Sequence, residues 1–386
     1  MADSFGRWME AQYAEGVGHG PRVVDPGASL RSGAMRRGAR LGVLTVAVGA
    51  LLIGACRPVP PDSTLRSLST LRDGRAFGTS VEPPQFARPA DAALIATQFS
   101  SVTPENAMKF EVVHPGADVW DFSAADEVVA FAEAHDQRVR GHALVWHRQN
   151  PAWLTDRAYT RDELITILHD HITTLVGRYR GSVAQWDVVN EAIADDGSLR
   201  DTVWSRGIGP DYIRLAFEFA RAADPDAALF INDYLIERGG PKAATLLWIV
   251  QSLRNDGVPI DGVGYQTHAL VPALMPTPEQ FADEMRRFAG RGLLVEITEM
   301  DVALHQPSDP AVDPQAQADA YGSAVMACLA VRECTGITTW NYADSESWIP
   351  GEFPGFGEAS IFDGALAPKP AFERIRQLLW WDLHAR

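Results

Sequence analysis

Short β-rich runs alternate with helical segments along most of this chain, and no other sequence feature restricts its fold as strongly. Eight strands alternating with helices over about 320 residues are typical of a (β/α)8 TIM barrel, an α/β fold. An open, doubly wound sheet is the alternative, but no glycine-rich phosphate loop follows the first run. We therefore predict a single barrel domain with strands at residues 76–81, 99–106, 138–146, 183–191, 228–233, 262–268, 293–302 and 336–344.

Caps and apolar spacing indicate the helices that connect these strands. Thr160 and Glu163 have the spacing of a capping box, and an apolar stripe follows them along one helical face. Gly181 comes after this stripe, where a helix is expected to have ended. Pro210 marks the start of another helix, because proline is favoured in the first turn.

The N-terminal part of the chain has the pattern of a targeting segment. An uncharged apolar run at residues 41–56, LGVLTVAVGALLIGAC, directly follows a cluster of arginines and ends in small residues, as in a secretory signal. It is shorter than the ~20 residues that a membrane-spanning helix needs. A buried helix is the alternative, which the glycines and the arginine flank disfavour. We predict translation from Met35, a signal peptide over residues 35–55, and a non-native extension over residues 1–34.

The end of this run, IGAC, resembles the cleavage box of bacterial lipoproteins. The resemblance implies that Cys56 becomes the lipid-bearing first residue, and two or more acyl chains would anchor the protein stably. Residues 56–64 are rich in proline and are predicted to form a tether before a domain over residues 65–386. We expect a secreted protein held at the outer face of the bacterial cell membrane.

Export also bears on the cysteines, because disulfides persist outside the cytoplasm. Cys328 and Cys334 then remain as a natural pair, with two free buried thiols as the alternative.

The charge balance and the histidine spacing exclude several classes of function. The chain has 34 Lys and Arg against 50 Asp and Glu, a net charge of −16, which argues against nucleic-acid binding and against a polybasic membrane-surface protein. His169 and His171 are two apart on a predicted helix and point to different faces. His142 and His147 lie on opposite faces if their strand continues. We expect no metal, no cofactor and a monomeric protein.

Two glutamates stand at predicted strand ends, where TIM barrels build their active sites. Glu191 ends the fourth strand and Glu299 ends the seventh. Hydrolysis of a glycosidic bond needs two flanking carboxyl groups, one that holds a proton near neutral pH and one that is ionised. Asn190 could orient the acid or bind a sugar hydroxyl, and His268 could keep Glu299 ionised by donating a hydrogen bond.

Seven motifs in order complete the pattern. They are TPENAMKFE, RGHALVWH, WDVVNEA, FINDY, GVGYQTH, ITEMDV and GITTWNYADSESW. The sequence resembles the family 10 glycoside hydrolases, the retaining endo-β-1,4-xylanases of the (β/α)8 type, over roughly residues 65–386. The resemblance implies an enzyme that binds xylan and xylo-oligosaccharides.

The resemblance also implies a role for each matching residue. Glu191 would be the acid/base and Glu299 the nucleophile that forms a glycosyl-enzyme intermediate. Asn190, His268 and Asp301 would support the catalytic pair. The sugar would be bound by Asn106, Lys109, His142, Trp146, Gln266, Trp340 and Trp348. Cys328 and Cys334 match a disulfide common in bacterial members.

Two departures from the family pattern and two rival functions remain. Ala143 stands where a hydroxyl residue is usual, and Asn341 stands where glycine is common. One rival is a β-1,4-glucanase, and the other is a non-catalytic glycan-binding protein, which would lack a carboxylate. Both glutamates are present, so we predict hydrolysis of internal β-1,4 bonds of xylan with retention. Retention requires carboxyl groups ~5–5.5 Å apart.

Overall fold

The predicted strands close into a parallel barrel. A computed structural model describes residues 58–384, and there each strand pairs in parallel with the next strand along the chain. The last strand also pairs in parallel with the first, which closes the barrel and excludes the open sheet. The strands are β1 (Ala76–Val81), β2 (Ser101–Pro104), β3 (Arg138–Val145), β4 (Gln185–Asn190), β5 (Ala228–Asp233), β6 (Gly262–Tyr265), β7 (Leu294–Val302) and β8 (Cys334–Thr339).

Long helices cover the outside of this barrel. They are α1 (Leu65–Asp73), α2 (Pro89–Gln98), α3 (Ser123–Ala134), α4 (Arg161–Arg178), α5 (Asp211–Ala223), α6 (Pro241–Asn255), α7 (Pro278–Ala289), α8 (Asp313–Leu329) and α9 (Pro370–His384). Short α-helical turns lie at Pro83–Phe86, Phe110–Val113, Ala152–Thr155, Val203–Gly207 and Ile349–Glu352, with 3-10 turns at Pro272–Leu274 and Asp344–Glu346. Two-residue strands lie at His268–Ala269, Leu304–His305 and Phe356–Gly357.

The helix signals of the sequence are confirmed. The Thr160 hydroxyl accepts a hydrogen bond from the Glu163 amide, and the Glu163 carboxylate accepts one from the Thr160 amide at 2.7 Å, so a capping box begins α4. Pro210 directly precedes α5. The apolar stripe of α4 packs against the barrel, where Leu168, Ile172 and Leu175 are fully buried.

The interior of the barrel carries a buried ion cluster. Arg140 on β3 donates two hydrogen bonds to the Asp187 carboxylate on β4 and one, of 2.7 Å, to Glu296 on β7. β3 and β7 are not neighbouring strands, so this last contact crosses the barrel. All three side chains are almost completely buried. The strands therefore turn polar groups inward, and Asp187 connects this set of side chains to His142, which lines the cleft.

The two cysteines of the domain are bonded to each other. Cys328 near the end of α8 and Cys334 at the start of β8 form a disulfide with Cα atoms 5.3 Å apart, so the alternative of two free thiols is excluded. The bond joins elements at the amino-terminal end of β8. It is therefore at the opposite end of that strand from the carboxyl-terminal rim.

Several predictions for the N-terminal part lie outside the described residues. These are the extension over residues 1–34, the start at Met35, the signal peptide over residues 35–55 and the lipid site at Cys56. In the described part of the tether, the Pro61 carbonyl accepts a hydrogen bond of 3.2 Å from Arg376 on α9. Helix α1 begins at Leu65, directly after this segment. Over residues 58–384, the helices are too short or too polar to cross a bilayer.

Candidate active site

The predicted site residues come together at the carboxyl-terminal rim of the barrel. All of them except Asp301 line one cleft of about 230 Å³, and Asp301 lies directly behind His268. Each comes from a strand end or from the loop that follows it, so the closure of the barrel is what brings them together. The lining residues predicted from sequence are Asn106, Lys109, His142, Trp146, Asn190, Glu191, Gln266, His268, Glu299, Trp340 and Trp348.

Glu299 on β7 is held from two sides. Asn232 at the end of β5 donates a hydrogen bond of 2.6 Å to its Oε1, and His268 Nε2 lies 3.3 Å from its Oε2. The other ring nitrogen of His268 lies 3.0 Å from Asp301 Oδ1. Burial lowers the pKa of His268, but the charges and hydrogen bonds of Asp301 and Glu299 outweigh it and raise that pKa to about 10. His268 is thus a buried cation, and the expected contact with Glu299 is present.

The same carboxylate of Asp301 orients one wall of the cleft. Trp348 Nε1 donates a hydrogen bond of 2.8 Å to Asp301 Oδ2, and its ring meets that of His268 edge to face. Trp340 packs edge to face against His142, whose Nδ1 lies 2.9 Å from Asp187 Oδ2. One indole is therefore fixed by a hydrogen bond and the other by packing against a histidine that contacts Asp187. Their faces are suited to the C–H faces of a pyranose.

Glu191 has a strained backbone and a strongly charged environment. Its φ of 56° lies in the left-handed region, which is costly for a side chain other than glycine and recurs at active sites. Gln266 Nε2 donates a hydrogen bond of 3.1 Å to Glu191 Oε1, and His147 Nδ1 lies 3.5 Å from Oε2. Arg200 Nε donates to the Glu191 carbonyl at 2.8 Å, so its guanidinium is also close by.

These neighbours decide the charge of Glu191. Burial raises its pKa, but the charges of His147 and Arg200 and hydrogen bonds from Trp146 and Gln266 lower it to about 2. The sequence predicts that one carboxyl holds a proton near neutral pH. The neighbours of Glu191 instead keep its pKa low, because His147 and Arg200 face it from the loops after β3 and β4, which sequence alone does not bring together.

The opposite side of the cleft carries a lysine between carboxylates. Lys109 Nζ lies 4.4 Å from the centre of the Trp146 ring and 3.5 Å from Asn106 Oδ1. Burial lowers the pKa of Lys109, and the charges of Glu299, Glu105 and other glutamates oppose that effect. Asn106 donates a hydrogen bond of 2.7 Å to Glu82 Oε1. Amines, amides and carboxylates here form the kind of surface that binds sugar hydroxyls.

Several residues of the site are absent from the sequence-based set, and four of them have contacts that matter here. Glu105 and Tyr234 line the cleft, Asn232 binds Glu299, and Asn341 donates a hydrogen bond of 2.7 Å to Glu105. Three of them had a signal, since Glu105 and the FINDY residues Asn232 and Tyr234 stand at strand ends within the quoted motifs. Asn341 is noted in the sequence only as a departure from glycine. Its φ of 66° explains why glycine is common there.

Within residues 58–384, no three His, Cys, Asp or Glu side chains are grouped so that they could hold a metal ion.

Comparison with known proteins identifies the family. The sequence profile of glycosyl hydrolase family 10 matches residues 66–378, most of the chain. The chain belongs to glycosyl hydrolase family 10. This family 10 chain is 41% identical over 289 residues to endo-1,4-beta-xylanase B of Thermotoga neapolitana, covering 75% of this chain and 83% of that relative. It is 38% identical over 313 residues to endo-1,4-beta-xylanase A of Phanerodontia chrysosporium, covering 81% of this chain and 76% of the relative.

Solved structures of family 10 members share the fold. Native xylanase 10B from Thermotoga maritima superposes with a TM-score of 0.81 at 37% identity, covering 84% of this chain and 100% of that one. Xylanase 10B from Thermotoga petrophila RKU-1, solved in complex with xylobiose, has a TM-score of 0.80 at 36% identity, covering 82% and 97%. The family 10 barrel expected from the sequence is thus confirmed.

Proposed function

We propose that this family 10 protein is an endo-1,4-β-xylanase that hydrolyses internal bonds of xylan with retention of configuration. The observation that carries the proposal is that Glu191 and Glu299, from β4 and β7, line one cleft with their side chains held by carboxamides. Relatives at 38–41% identity are named endo-1,4-beta-xylanases, and one solved neighbour is described as a complex with xylobiose. Both catalytic carboxyl groups are present, which disfavours a purely glycan-binding protein.

The first step uses both glutamates. Glu299 attacks the anomeric carbon and forms a glycosyl ester, while the bond to the leaving oxygen breaks and that oxygen takes a proton from Glu191. Asn232 and His268 orient the attacking carboxylate through their contacts with Oε1 and Oε2. In the second step Glu191 removes a proton from water, which attacks the same carbon and releases Glu299. The configuration is therefore inverted twice and retained.

The acid role requires Glu191 to be protonated when the sugar is bound. Its pKa of about 2 reflects cationic neighbours that outweigh burial. A sugar seated in the cleft removes water from the carboxylate, and loss of water favours the neutral form. We expect bound substrate to raise this pKa. Glu191→Ala should then slow the hydrolysis of substrates with poor leaving groups by roughly 10²–10⁴-fold, because these need a proton from the acid. Substrates with very good leaving groups should be spared in the first step, and equal loss on all substrates would contradict the acid role.

The experiment that tests the proposal compares two polysaccharides. Purified protein is incubated with xylan and with carboxymethyl cellulose, the products are separated by length, and the anomer first formed is followed by NMR. A ladder of short xylo-oligosaccharides from xylan alone, with the β-anomer formed first, is the expected result. Comparable cleavage of cellulose would favour a broader β-1,4-glucanase. Cleavage of neither would favour the glycan-binding protein.

The proposed location of the protein follows from its N-terminal sequence. A monomer secreted and anchored by lipid at Cys56 to the outer face of the bacterial membrane would meet a polymeric substrate that cannot enter the cell. Metabolic labelling with a radioactive fatty acid tests this, with Cys56→Ser as the control. Label in the wild type and none in the variant is expected. Equal labelling of both, or of neither, would refute the anchor.

A further inference from the structure

Asn341 combines a backbone that suits glycine with a side chain that glycine lacks. It directly follows Trp340 at a position where glycine is common in the family, and its φ is 66°. Its amide N–H donates a hydrogen bond of 2.7 Å to Ser80 Oγ. Its side-chain Nδ2 donates to the same hydroxyl at 3.2 Å and to Glu105 Oε2 at 2.7 Å. A glycine would keep the backbone contact and lose both side-chain bonds.

Glu105 is the acceptor of the shorter side-chain bond, and it lines the cleft. It follows β2 and lies between Asn106 and the strand, next to the residues predicted to bind sugar on the non-reducing side. Burial raises its pKa, the hydrogen bond from Asn341 lowers it, and the charges of Glu82 and Glu299 raise it further, against Lys109. Without the amide of Asn341, this carboxylate would lose an orienting donor and part of what favours its ionised form.

Three other carboxylates in or beside the cleft are bound in the same way. Each accepts a hydrogen bond from a carboxamide, and the donors belong to motifs by which the family is recognised. The pairs are Asn106 with Glu82, Gln266 with Glu191 and Asn232 with Glu299. Asn341 is the donor for Glu105, and it occupies the position that departs from the family pattern. The contact is therefore a property of this chain rather than of the shared catalytic pair.

We propose that Asn341 is a positioning residue that holds Glu105 against the cleft wall as an acceptor for a hydroxyl of the sugar unit beyond the cleavage point on the non-reducing side. It determines how tightly that unit is bound and acts through Glu105 rather than on the reacting atoms. The inference rests on the proposed function only in taking a xylo-oligosaccharide as the ligand.

Asn341→Gly is the primary variant, because glycine adopts a φ of 66° freely and removes only the side-chain donor. Substrates are an aryl β-xylobioside, which places two sugars on the non-reducing side, and an aryl β-xyloside, which places one. We expect kcat/KM for the xylobioside to fall about 5–10-fold, mainly through KM, as for the loss of one hydrogen bond. The value for the xyloside should change less than about 2-fold. Asn341→Asp should have a larger effect in the same direction, because it replaces the donor by a like charge.

Two controls separate positioning from folding. Asp136→Gly makes the same backbone change at another left-handed residue, φ 53°, in the exposed loop between α3 and β3 at the far end of the barrel, and should leave both substrates unaffected. The double variant Asn341→Gly/Glu105→Gln should be no worse than Glu105→Gln alone. Equal losses on both substrates, or additive losses in the double variant, would overturn the proposal.

Binding of xylotriose by calorimetry gives the same comparison without turnover. We expect Asn341→Gly to bind it about 5–10-fold more weakly than the wild type. A wild-type protein that binds xylotriose but cleaves nothing would refute the proposed catalysis. The role of Asn341 would then be decided by the affinity measurement alone. Unchanged xylotriose affinity in Asn341→Gly would refute the inference whatever the activity.

Discussion

Buried charge is compensated differently in the interior of the barrel and at its carboxyl-terminal rim. In the interior, Arg140 pairs with the carboxylates of Asp187 and Glu296 through direct charged hydrogen bonds. At the rim, Glu105 and Glu299 instead accept hydrogen bonds from the neutral amides of Asn341 and Asn232. The two clusters lie within one barrel, and they differ in that neutral amides take part at the rim, beside cations such as His268.

This difference in how carboxylates are compensated indicates which residues contribute to stability and which contribute to catalysis. The charge of a buried carboxylate that is paired with a guanidinium is compensated by its partner. Removing either partner of such a pair is strongly destabilising. A carboxamide orients a carboxylate without cancelling its charge, so the oxygens remain able to attack a carbon or accept from a sugar hydroxyl. The rim therefore concentrates like charges at some cost in stability. Changes at the rim should alter activity, and changes in the interior should alter folding.

Removing the rim carboxylate Glu299 should have the largest effect. Without it no covalent intermediate forms, and we expect Glu299→Ala to lower kcat on xylo-oligosaccharides on the order of 10⁶-fold, as for loss of a nucleophile. Its melting temperature should change much less than its activity, because the removal of one of several like charges offsets the loss of the contacts with Asn232 and His268. Turnover is measured by reducing-end release, and thermal unfolding by calorimetry. Activity within 100-fold of the wild type would contradict the nucleophile role.

Breaking the interior cluster should have the next largest effect, on stability. Arg140→Met leaves Asp187 and Glu296 buried without their cation, and removal of one partner of a buried pair costs roughly 3–5 kcal/mol. The free energy of unfolding is measured by urea titration at neutral pH. The triple variant that also replaces Asp187 by Asn and Glu296 by Gln is the control and should recover part of the loss. A change below about 1 kcal/mol in Arg140→Met would mean that the cluster is not the stabilising element.

The barrel could be predicted from the sequence because its signal is repeated. Each strand is a short apolar run that ends in polar residues, and the alternation with helices leaves few topologies. The predicted strand ends extend too far in places, since β2 stops at Pro104 and β8 at Thr339. Polar residues past these points belong to the cleft rather than to the ladder, and a one-dimensional pattern does not distinguish the two.

The site could be predicted in its composition but not in its electrostatics. Residues such as Glu299 and His268 stand in recognisable motifs at strand ends, so their convergence follows from the barrel. The charge of Glu191 does not follow, because it depends on His147 and Arg200, which reach it from separate loops. The contact between Asn341 and Glu105 spans 236 positions of the chain, and no local pattern indicates it.

The disulfide tests whether the end of the barrel away from the cleft contributes only to stability. Cys328 and Cys334 enclose a short loop before β8, and the chain-entropy estimate for such a loop is roughly 2.4 kcal/mol. We expect Cys328→Ser/Cys334→Ser to lower the free energy of unfolding by about that amount and to leave kcat and KM for xylan unchanged. Asn341→Gly offers the opposite pattern, a changed KM with little loss of stability. A fall in kcat in the cysteine variant would break the separation between the two ends.

The last prediction concerns His268, whose effect on stability over a single pH unit is smaller than that of the disulfide. This residue belongs to the rim but is compensated like the interior. It lies between Asp301 and Glu299, and their charges raise its pKa to about 10, against about 6.5 for histidine in an unfolded chain. The folded state keeps a proton that the unfolded chain releases above about pH 6.5. Its stabilisation is therefore complete below that pH and is lost as the pH rises towards 10, by about 1.4 kcal/mol per pH unit. Urea unfolding of the wild type and of His268→Gln, measured between pH 6 and 10, should show this extra slope in the wild type alone. Parallel slopes would mean that His268 is neutral, and the rim would then hold its nucleophile by neutral donors throughout.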